Sequence, residues 1–205
     1  MSNEDYLPAM HAAQLANALS ALGFAFFEEG DYNLNLIGVR SSTHRTGAFD
    51  DVLFCAYKVN RLWRTHAWPI TTDPGAHYLT KPINPEGCAV LASPQQCRGA
   101  YAIGEHHGYP ALVQSGAPVR VWRDNDKDNE IDWGEDKGIE GWYGINIHRA
   151  KRSGITDSPD YHSAGCQVFA SRREHDAFMD LCRKSAKIWG NKFTYTIVNQ
   201  WGWEY

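Results

Sequence analysis

Short apolar runs, several of them alternating with polar residues, fill the chain between about residues 32 and 122. A two-residue period is typical of strands that are buried on one face. The runs 52–59 and 62–68 flank the pair Asn60-Arg61 and predict a tight hairpin. Further strands are predicted near residue 34 and over 89–91, 101–103, 111–114, 119–122, 141–147 and 193–198. Most of the chain is therefore predicted to be β structure.

Near the amino terminus the pattern changes to the three- and four-residue spacing of an amphipathic helix. Over residues 8–22, the side chains of Leu15, Leu19 and Leu22 fall on one face, and Gly23 is a natural stop. We therefore expect a first helix that packs this leucine face against the rest of the protein.

A second helix is predicted to begin at Ser171. The segment Ser171-Arg-Arg-Glu174 fits the capping box, in which serine accepts from a free N–H of the first turn. Gly190 is placed to end the helix. Its predicted apolar face consists of Phe178, Leu181, Cys182 and Trp189.

These elements predict an α+β protein with more strand than helix. The 205 residues carry no repeat and no low-complexity linker, which favours a single domain. Within it we distinguish an N-terminal helical extension (1–30), an acidic loop (124–135) and a candidate catalytic segment (141–170). The second predicted helix follows that segment.

Charge and hydropathy exclude several partners. The formal net charge of −4 gives no reason to expect a nucleic acid. No apolar stretch approaches the ~20 residues that span a bilayer, so stable membrane insertion is not expected. The start, Met1 to Asp5, is acidic and lacks the apolar region of a secretory signal.

The five cysteines are an odd number, and without a secretory signal we expect reduced thiols. A bond between Cys88 and Cys97 is the alternative. Cys55 lies in an apolar run and is expected to be a small core residue.

A histidine and a cysteine, His148 and Cys166, stand eighteen residues apart in contexts that suit catalysis. The histidine ends an apolar run, and the cysteine follows the small residues of Ser163-Ala-Gly165. A thiol needs a base to become a good nucleophile at neutral pH, and imidazole is the usual one. A tight turn before the cysteine would also aim the amides of Gly165 and Cys166 at one point, where an oxyanion could bind. The pair predicts covalent acyl transfer; the alternative is a buried cysteine beside an unrelated histidine.

The segment 141–170 resembles the catalytic signature of the L,D-transpeptidase (YkuD-like) family. The residues that carry the resemblance are His148, Ser163, Gly165 and Cys166, in the order and spacing of that family. It also resembles phage-encoded cell-wall-cleaving members of this type. Two positions depart from the family pattern: Arg149 stands where glycine is usual, and Val168 stands where an arginine is usual.

The resemblance implies a fold with a mixed β-sheet or sandwich core, a mechanism and a set of roles. Cys166, deprotonated by His148, attacks the carbonyl at the L-centre of an L,D peptide bond in the peptidoglycan stem. The amides of Gly165 and Cys166 stabilise the oxyanion, Ser163 orients His148, and a thioester is formed and then released. The residues expected to contact the substrate are Arg149, His162 and Gln167.

We therefore expect a phage endolysin-like cysteine peptidase that cleaves bacterial peptidoglycan. It would be made in the cytoplasm of the producing cell and reach the periplasmic wall after release. The first alternative is an L,D-transpeptidase that cross-links the wall. The second is a non-catalytic, calcium-stabilised module that binds the wall or forms part of a virion.

The acidic loop 124–135 matches the twelve-position calcium loop of EF-hand proteins. Its six acidic residues are Asp124, Asp126, Asp128, Glu130, Asp132 and Glu135. Asn129 stands at the sixth position, where a left-handed backbone is needed, and Ile131 fills the apolar eighth position. So many oxygen ligands favour a structural Ca²⁺ over Zn²⁺. The alternative is a solvated acidic turn.

The pair His106-His107 is the remaining candidate for a metal site. Neighbours on a strand point to opposite faces, so we do not expect these two side chains to share a zinc ion. A contact between either histidine and the substrate stays open.

Overall fold

The computed structural model describes residues 12–43 and 45–200. The start of the first predicted helix, residues 8–11, lies outside this part, as do the first seven residues of the predicted N-terminal extension. Three helices are present in the described residues: α1 (Ala12–Ala21), α2 (Ala76–Thr80) and α3 (Arg172–Trp189). The strands are β1 (Asn35–Arg40), β2 (Asp51–Val59), β3 (Leu62–Thr71), β4 (Cys88–Leu91), β5 (Gln95–His106), β6 (Tyr109–Gln114), β7 (Val119–Asp124), β8 (Ile139–Gly141), β9 (Ile147–Arg149), β10 (Gln167–Phe169) and β11 (Phe193–Asn199).

Eight of these strands form a closed barrel in the order β1-β11-β5-β6-β9-β10-β3-β2. The pairs β1–β11 and β9–β10 are parallel and the other barrel pairs are antiparallel, so the sheet is mixed. Strands β4, β7 and β8 form a separate antiparallel sheet. The mostly-β prediction is confirmed, and closure of the sheet into a barrel is a feature that the strand pattern did not predict.

The predicted β2–β3 hairpin is present, with Val59 paired to Leu62. Asn60 and Arg61 both have positive φ, 51° and 66°, as a two-residue turn that matches the strand twist requires. The hairpin contributes the longest antiparallel pairing in the barrel wall.

The interior of the barrel is filled by large apolar and aromatic side chains, among them Tyr101, Phe169 and Tyr195, all fully buried. Phe178 of α3 closes part of this core against Trp68 and Phe169, with ring centroids 5.9 Å and 5.1 Å away. Burial of this apolar area is the main source of stability.

Helix α3 begins as the capping box predicts. The Ser171 hydroxyl accepts from the N–H of Glu174 at 3.4 Å, and Gly190 at the other end has a positive φ of 85°. The predicted apolar face is correct for Phe178, Leu181 and Cys182, which are buried. Trp189 differs: its ring is 46% exposed, and its indole N–H donates to the Asp31 carbonyl.

Helix α1 packs on the outside of the barrel. Leu15 and Leu19 are buried in a second cluster with Ile37, Phe54 and Val198, which come from the outer face of β1, β2 and β11. The helix ends at Ala21, so Leu22 lies beyond it and is exposed. The leucine face is thus confirmed for its first two members.

A buried polar network joins one end of the barrel to the turn after β3. Arg40 is fully buried, and its Nε donates to Asp73 at 2.9 Å while one terminal nitrogen donates to the Leu91 carbonyl. Asp51 accepts from the N–H of Thr72 at 2.6 Å. Pairing of this kind is what makes a buried guanidinium tolerable.

The predicted strand over 141–147 is interrupted. Strand β8 ends at Gly141 and β9 begins at Ile147. Between them the Gln114 side-chain oxygen accepts from the N–H groups of Tyr143 and Ile145, each at 3.2 Å. A glutamine side chain therefore replaces a strand partner here, which a period-two pattern cannot reveal.

Candidate active site

The sequence pair His148 and Cys166 meets at the parallel strands β9 and β10. Val168 is paired with His148, and Gln167 with Ile147, so Cys166 enters β10 beside the start of β9. The N–H of Asn146 lies 3.4 Å from the Cys166 sulfur. Both His148 and Cys166 line one cleft.

The backbone before Cys166 turns tightly, as the small residues predicted. Gly165 has a φ of 115°, and a Cβ at this position would clash with the carbonyl oxygen of Ala89. The Ser163 hydroxyl donates to the Cys166 carbonyl at 2.8 Å and accepts from the Gly165 N–H at 3.2 Å. The Ser163 carbonyl in turn accepts from Gly75, which joins this turn to the one after β3.

Two of the predicted roles change with this geometry. The Gly165 N–H is engaged by Ser163, so it is not presented to an oxyanion, and the Cys166 N–H is the remaining amide donor of the pair. Ser163 holds the turn and makes no hydrogen bond with His148 in the described structure. Its hydroxyl shapes the backbone around the nucleophile instead of orienting the base.

His148 is oriented by two other groups. Its Nδ1 lies 2.9 Å from the Arg149 carbonyl and 3.2 Å from the Tyr109 hydroxyl. The same hydroxyl donates to the Arg149 carbonyl at 2.9 Å. Because a carbonyl only accepts, Nδ1 carries the proton and Nε2 is left with the lone pair that a base needs.

Electrostatics keep both members of the pair neutral at pH 7. Burial, followed by the nearby His106, lowers the pKa of His148 to about 3. Burial raises the pKa of the Cys166 thiol to about 11, against the opposing effect of the Asn146 N–H. At pH 7 the pair therefore consists of a thiol and a neutral imidazole.

The cleft around the pair has a volume of about 470 Å³. Four histidines, four tyrosines and three cationic side chains line it, and no Asp or Glu of the described residues does. The histidines are His106, His107, His148 and His162, the tyrosines are Tyr78, Tyr109, Tyr143 and Tyr161, and the cations are Arg149, Lys151 and Arg152. A lining of this charge favours an anionic ligand.

The three predicted substrate contacts fall in different places. Arg149 and His162 line the cleft. Gln167 does not: its side chain is fully buried, accepts from the Tyr195 hydroxyl at 2.7 Å and donates to the Thr72 carbonyl. Gln167 links strand β10 to the buried polar network and has no exposed surface for a substrate.

Tyr109 and Asn146 are the site residues that the sequence did not single out. Tyr109 bonds to the base, and Asn146 contacts the sulfur through its N–H and His106 through its side-chain amide at 3.2 Å. Both lie at strand ends that only the barrel closure brings to Cys166. A tyrosine or asparagine in an apolar run carries no signal of such a role.

The two adjacent histidines lie closer together than a strand geometry predicts. His106 ends β5, whereas His107 lies in the following turn with a φ of 48°. Their ring centroids are therefore 4.3 Å apart, and the ring of His106 stacks on His148 at 4.0 Å. The expectation of opposite faces was wrong for this reason.

Only one of the five cysteine thiols in the described chain is even partly exposed. All five cysteines are free, so Cys88 and Cys97 are not bonded to each other. Cys55, Cys88, Cys97 and Cys182 are buried, and Cys166 is the partly exposed one.

The loop 124–135 lies away from the cleft. Its Asp126 and Asp128 side chains accept from N–H groups within the loop at 3.2 Å and 2.8 Å. Among residues 12–43 and 45–200, no three His, Cys, Asp or Glu side chains are already arranged to hold a metal ion. The calcium prediction therefore stays a prediction at this point.

Comparison with known proteins gave no match: no family model, no curated protein sequence and no solved structure is significantly similar to the chain. Within the described residues, no helix is both long and apolar enough to cross a membrane. The cleft is therefore the structural feature from which a function is inferred.

Proposed function

We propose that this protein is a cysteine enzyme of the L,D-transpeptidase type that cleaves bacterial peptidoglycan, with Cys166 as nucleophile and His148 as base. The observation that carries the proposal is an imidazole of fixed tautomer in the same cleft as the one partly exposed thiol: the Arg149 carbonyl holds Nδ1–H, which leaves Nε2 to take a proton. The sequence resemblance supplies the substrate class.

The Cys166 thiol, the His148 imidazole and one water molecule are sufficient for the proposed hydrolysis. The Cys166 sulfur attacks the carbonyl carbon at the L-centre of an L,D bond while its proton passes to Nε2 of His148. The C–N bond then breaks, the proton passes to the leaving amine, and a thioester remains. Water attacks the thioester, giving a free carboxylic acid and restoring the thiol. The Cys166 N–H donates to the oxyanion in both steps.

The neutral state of Cys166 and His148 determines how the proposed attack begins. The raised pKa of Cys166 means that little thiolate exists before the substrate binds, so proton transfer to His148 must accompany attack. Tyr109 stabilises the imidazolium that forms, because its hydroxyl can accept from Nδ1–H while it donates to the Arg149 carbonyl.

The cationic side of the cleft is assigned to carboxylates of the stem peptide. The Arg149 guanidinium stacks over the Tyr109 ring at 4.2 Å, and one of its terminal nitrogens donates to the carbonyls of Lys151 and Arg152. No ion pair joins Arg149 to an acidic residue within the described chain. It thus takes the place of the family arginine, whose position here is the fully buried Val168.

The test is mass spectrometry of purified peptidoglycan fragments after incubation with the protein, with Cys166→Ala as the inactive variant. The expected product carries a new free carboxyl at the L-centre, and it is absent with Cys166→Ala. Cross-linked dimers would instead identify a transpeptidase. Unchanged fragments that nevertheless bind the protein would identify a non-catalytic wall-binding module. An amidase or glycosidase product would contradict the assigned bond.

A further inference from the structure

The acidic loop after β7 contains a buried carboxylate oxygen that no protein group satisfies. Asp124 is 1% exposed, and its Oδ1 atom has no hydrogen-bond partner among the described residues. Its other oxygen, Oδ2, accepts from the N–H of Asp132 at 2.9 Å. The carboxylate therefore joins the first residue of the loop to the ninth through Oδ2, while Oδ1 is buried without a partner among the described residues.

A buried carboxylate oxygen without a hydrogen-bond partner destabilises the folded protein. A carboxylate withdrawn from water is tolerated when a cation or several donors compensate its charge. Arg123, the nearest cation in sequence, is turned away to the Gly87 carbonyl and to Glu86. The loop has six acidic residues and one lysine, so its own side chains cannot neutralise Asp124.

The loop backbone already has the shape that a twelve-position calcium loop needs. Asn129, at the sixth position, has a φ of 73°, the left-handed conformation that glycine usually supplies there. Ile131, at the eighth position, packs against the cluster of Val90, Ala92 and Trp122 and anchors the loop to the small sheet. The exposed carboxylates of the loop must turn inward for a ligand shell to form around an ion.

We propose that residues 124–135 bind one Ca²⁺ ion, with Oδ1 of Asp124 as its buried ligand. The carboxylates of Asp126, Asp128, Asp132 and Glu135 and the backbone carbonyl of Glu130 complete an oxygen shell. Asp126 and Asp128 are exposed and exchange their loop N–H contacts for the ion on rotating inward. The site does not depend on the activity of Cys166.

The chain carries its own reporter for this site. Trp133 belongs to the loop, and its ring lies 6.3 Å from that of Trp122. Terbium, which replaces calcium at oxygen sites, is expected to show indole-sensitised emission with the intact protein and to be displaced by Ca²⁺. Calorimetry with CaCl₂ on chelator-treated protein is expected to give one site with a dissociation constant on the order of 10⁻⁶ to 10⁻³ M.

Asp124→Asn is the decisive variant, because an asparagine oxygen still accepts from the Asp132 N–H but removes the buried charge. We expect calcium affinity at least about 100-fold weaker and, in chelator, a melting temperature no lower than that of the wild type. Asp126→Asn/Asp128→Asn, a change confined to exposed side chains, is expected to weaken binding without altering the apo fold. Asp157→Asn, the same chemical change outside the loop, leaves binding unchanged.

Two results would overturn the site. One is wild-type protein that binds neither Tb³⁺ nor Ca²⁺ at millimolar concentration. The other is Asp124→Asn protein that binds Ca²⁺ as tightly as the wild type, which would remove Asp124 from the ligand set.

Discussion

The Tyr109 hydroxyl lies 3.2 Å from Nδ1 of His148, on the side of the imidazole that faces away from its basic nitrogen. It also donates to the Arg149 carbonyl that accepts from Nδ1–H. The base of the proposed dyad is thus held by one backbone carbonyl and one phenol. No carboxylate of residues 12–43 or 45–200 hydrogen-bonds to this imidazole, and burial makes it a weak base.

Removing the Tyr109 hydroxyl should slow the proposed cleavage reaction and leave the fold unchanged. For Tyr109→Phe we expect acylation to slow about 3- to 10-fold, which corresponds to loss of one hydrogen bond of about 0.5–1.5 kcal/mol. The rate of peptidoglycan fragment cleavage measures this. Tyr78→Phe is the matched control and should retain the wild-type rate, because the hydroxyl it removes lines the same cleft but donates to the Tyr161 carbonyl and not to His148. Equal losses in the two variants would argue against a role for the bond to His148.

The pH dependence of Cys166 alkylation distinguishes a neutral dyad from a preformed ion pair. With the pKa of the thiol raised to about 11 and that of His148 lowered to about 3, the thiolate fraction grows as pH rises. The rate with iodoacetamide should therefore climb steadily from pH 7 toward pH 11. Peptide mapping by mass spectrometry identifies the labelled cysteine. A plateau between pH 5 and 8 would show that a thiolate–imidazolium pair already exists at rest.

The turn before the nucleophile should not accept a side chain. In Gly165→Ala the new Cβ meets the Ala89 carbonyl oxygen and φ is 115°, so we expect a loss of stability of about 2–4 kcal/mol or a displaced Cys166. Gly154→Ala also changes a glycine with positive φ, but its Cβ has open space and should cost only about 1 kcal/mol. Urea unfolding of the two variants checks the difference. Equal destabilisation would mean that backbone conformation alone matters at both positions.

The buried Arg40 should contribute strongly to the stability of the folded protein. Arg40→Met leaves Asp73 without its partner and removes the cation nearest Asp51, so we expect about 3–5 kcal/mol of destabilisation. The control is Arg183→Met, which breaks an exposed pair with Asp180 and should cost less than about 1 kcal/mol. Denaturant unfolding at pH 7 provides both values. A small effect at Arg40 would mean that its buried ion pair with Asp73 contributes little to stability.

Acid should destabilise the protein through its buried histidines. His175 is 1% exposed with neither ring nitrogen hydrogen-bonded, and burial lowers its pKa to about 4. Burial also lowers the pKa of His148 to about 3. Because the unfolded chain binds these protons from about pH 6.5 downward, the stabilisation is full above pH 6.5 and is lost as pH falls toward 4.

His175→Leu isolates one of these protons. The variant is expected to flatten the slope of unfolding free energy against pH between 4 and 6.5 by about one proton. Urea unfolding at several pH values measures the slope. An unchanged slope would mean that His175 gains a partner or a water that keeps it protonated in the folded protein.

Local sequence determined the elements that depend only on residues close together in the chain. The Asn60-Arg61 hairpin forms because two residues with left-handed backbone match the twist of the flanking strands. Helix α3 begins at Ser171 because its hydroxyl satisfies an N–H of the first turn. The same holds for the glycine turn before Cys166, where a missing side chain allows the close approach to Ala89.

Tertiary structure decided the relations between distant segments. Barrel closure brings Tyr109 and His106 to His148, and turns Gln167 inward to Tyr195. A strand pattern shows that side chains alternate, but it does not say which strand lies beside which, since pairing depends on how the whole apolar surface is buried. Sequence alone therefore predicted His148 as a base and Cys166 as a nucleophile, and the fold showed which groups contact them.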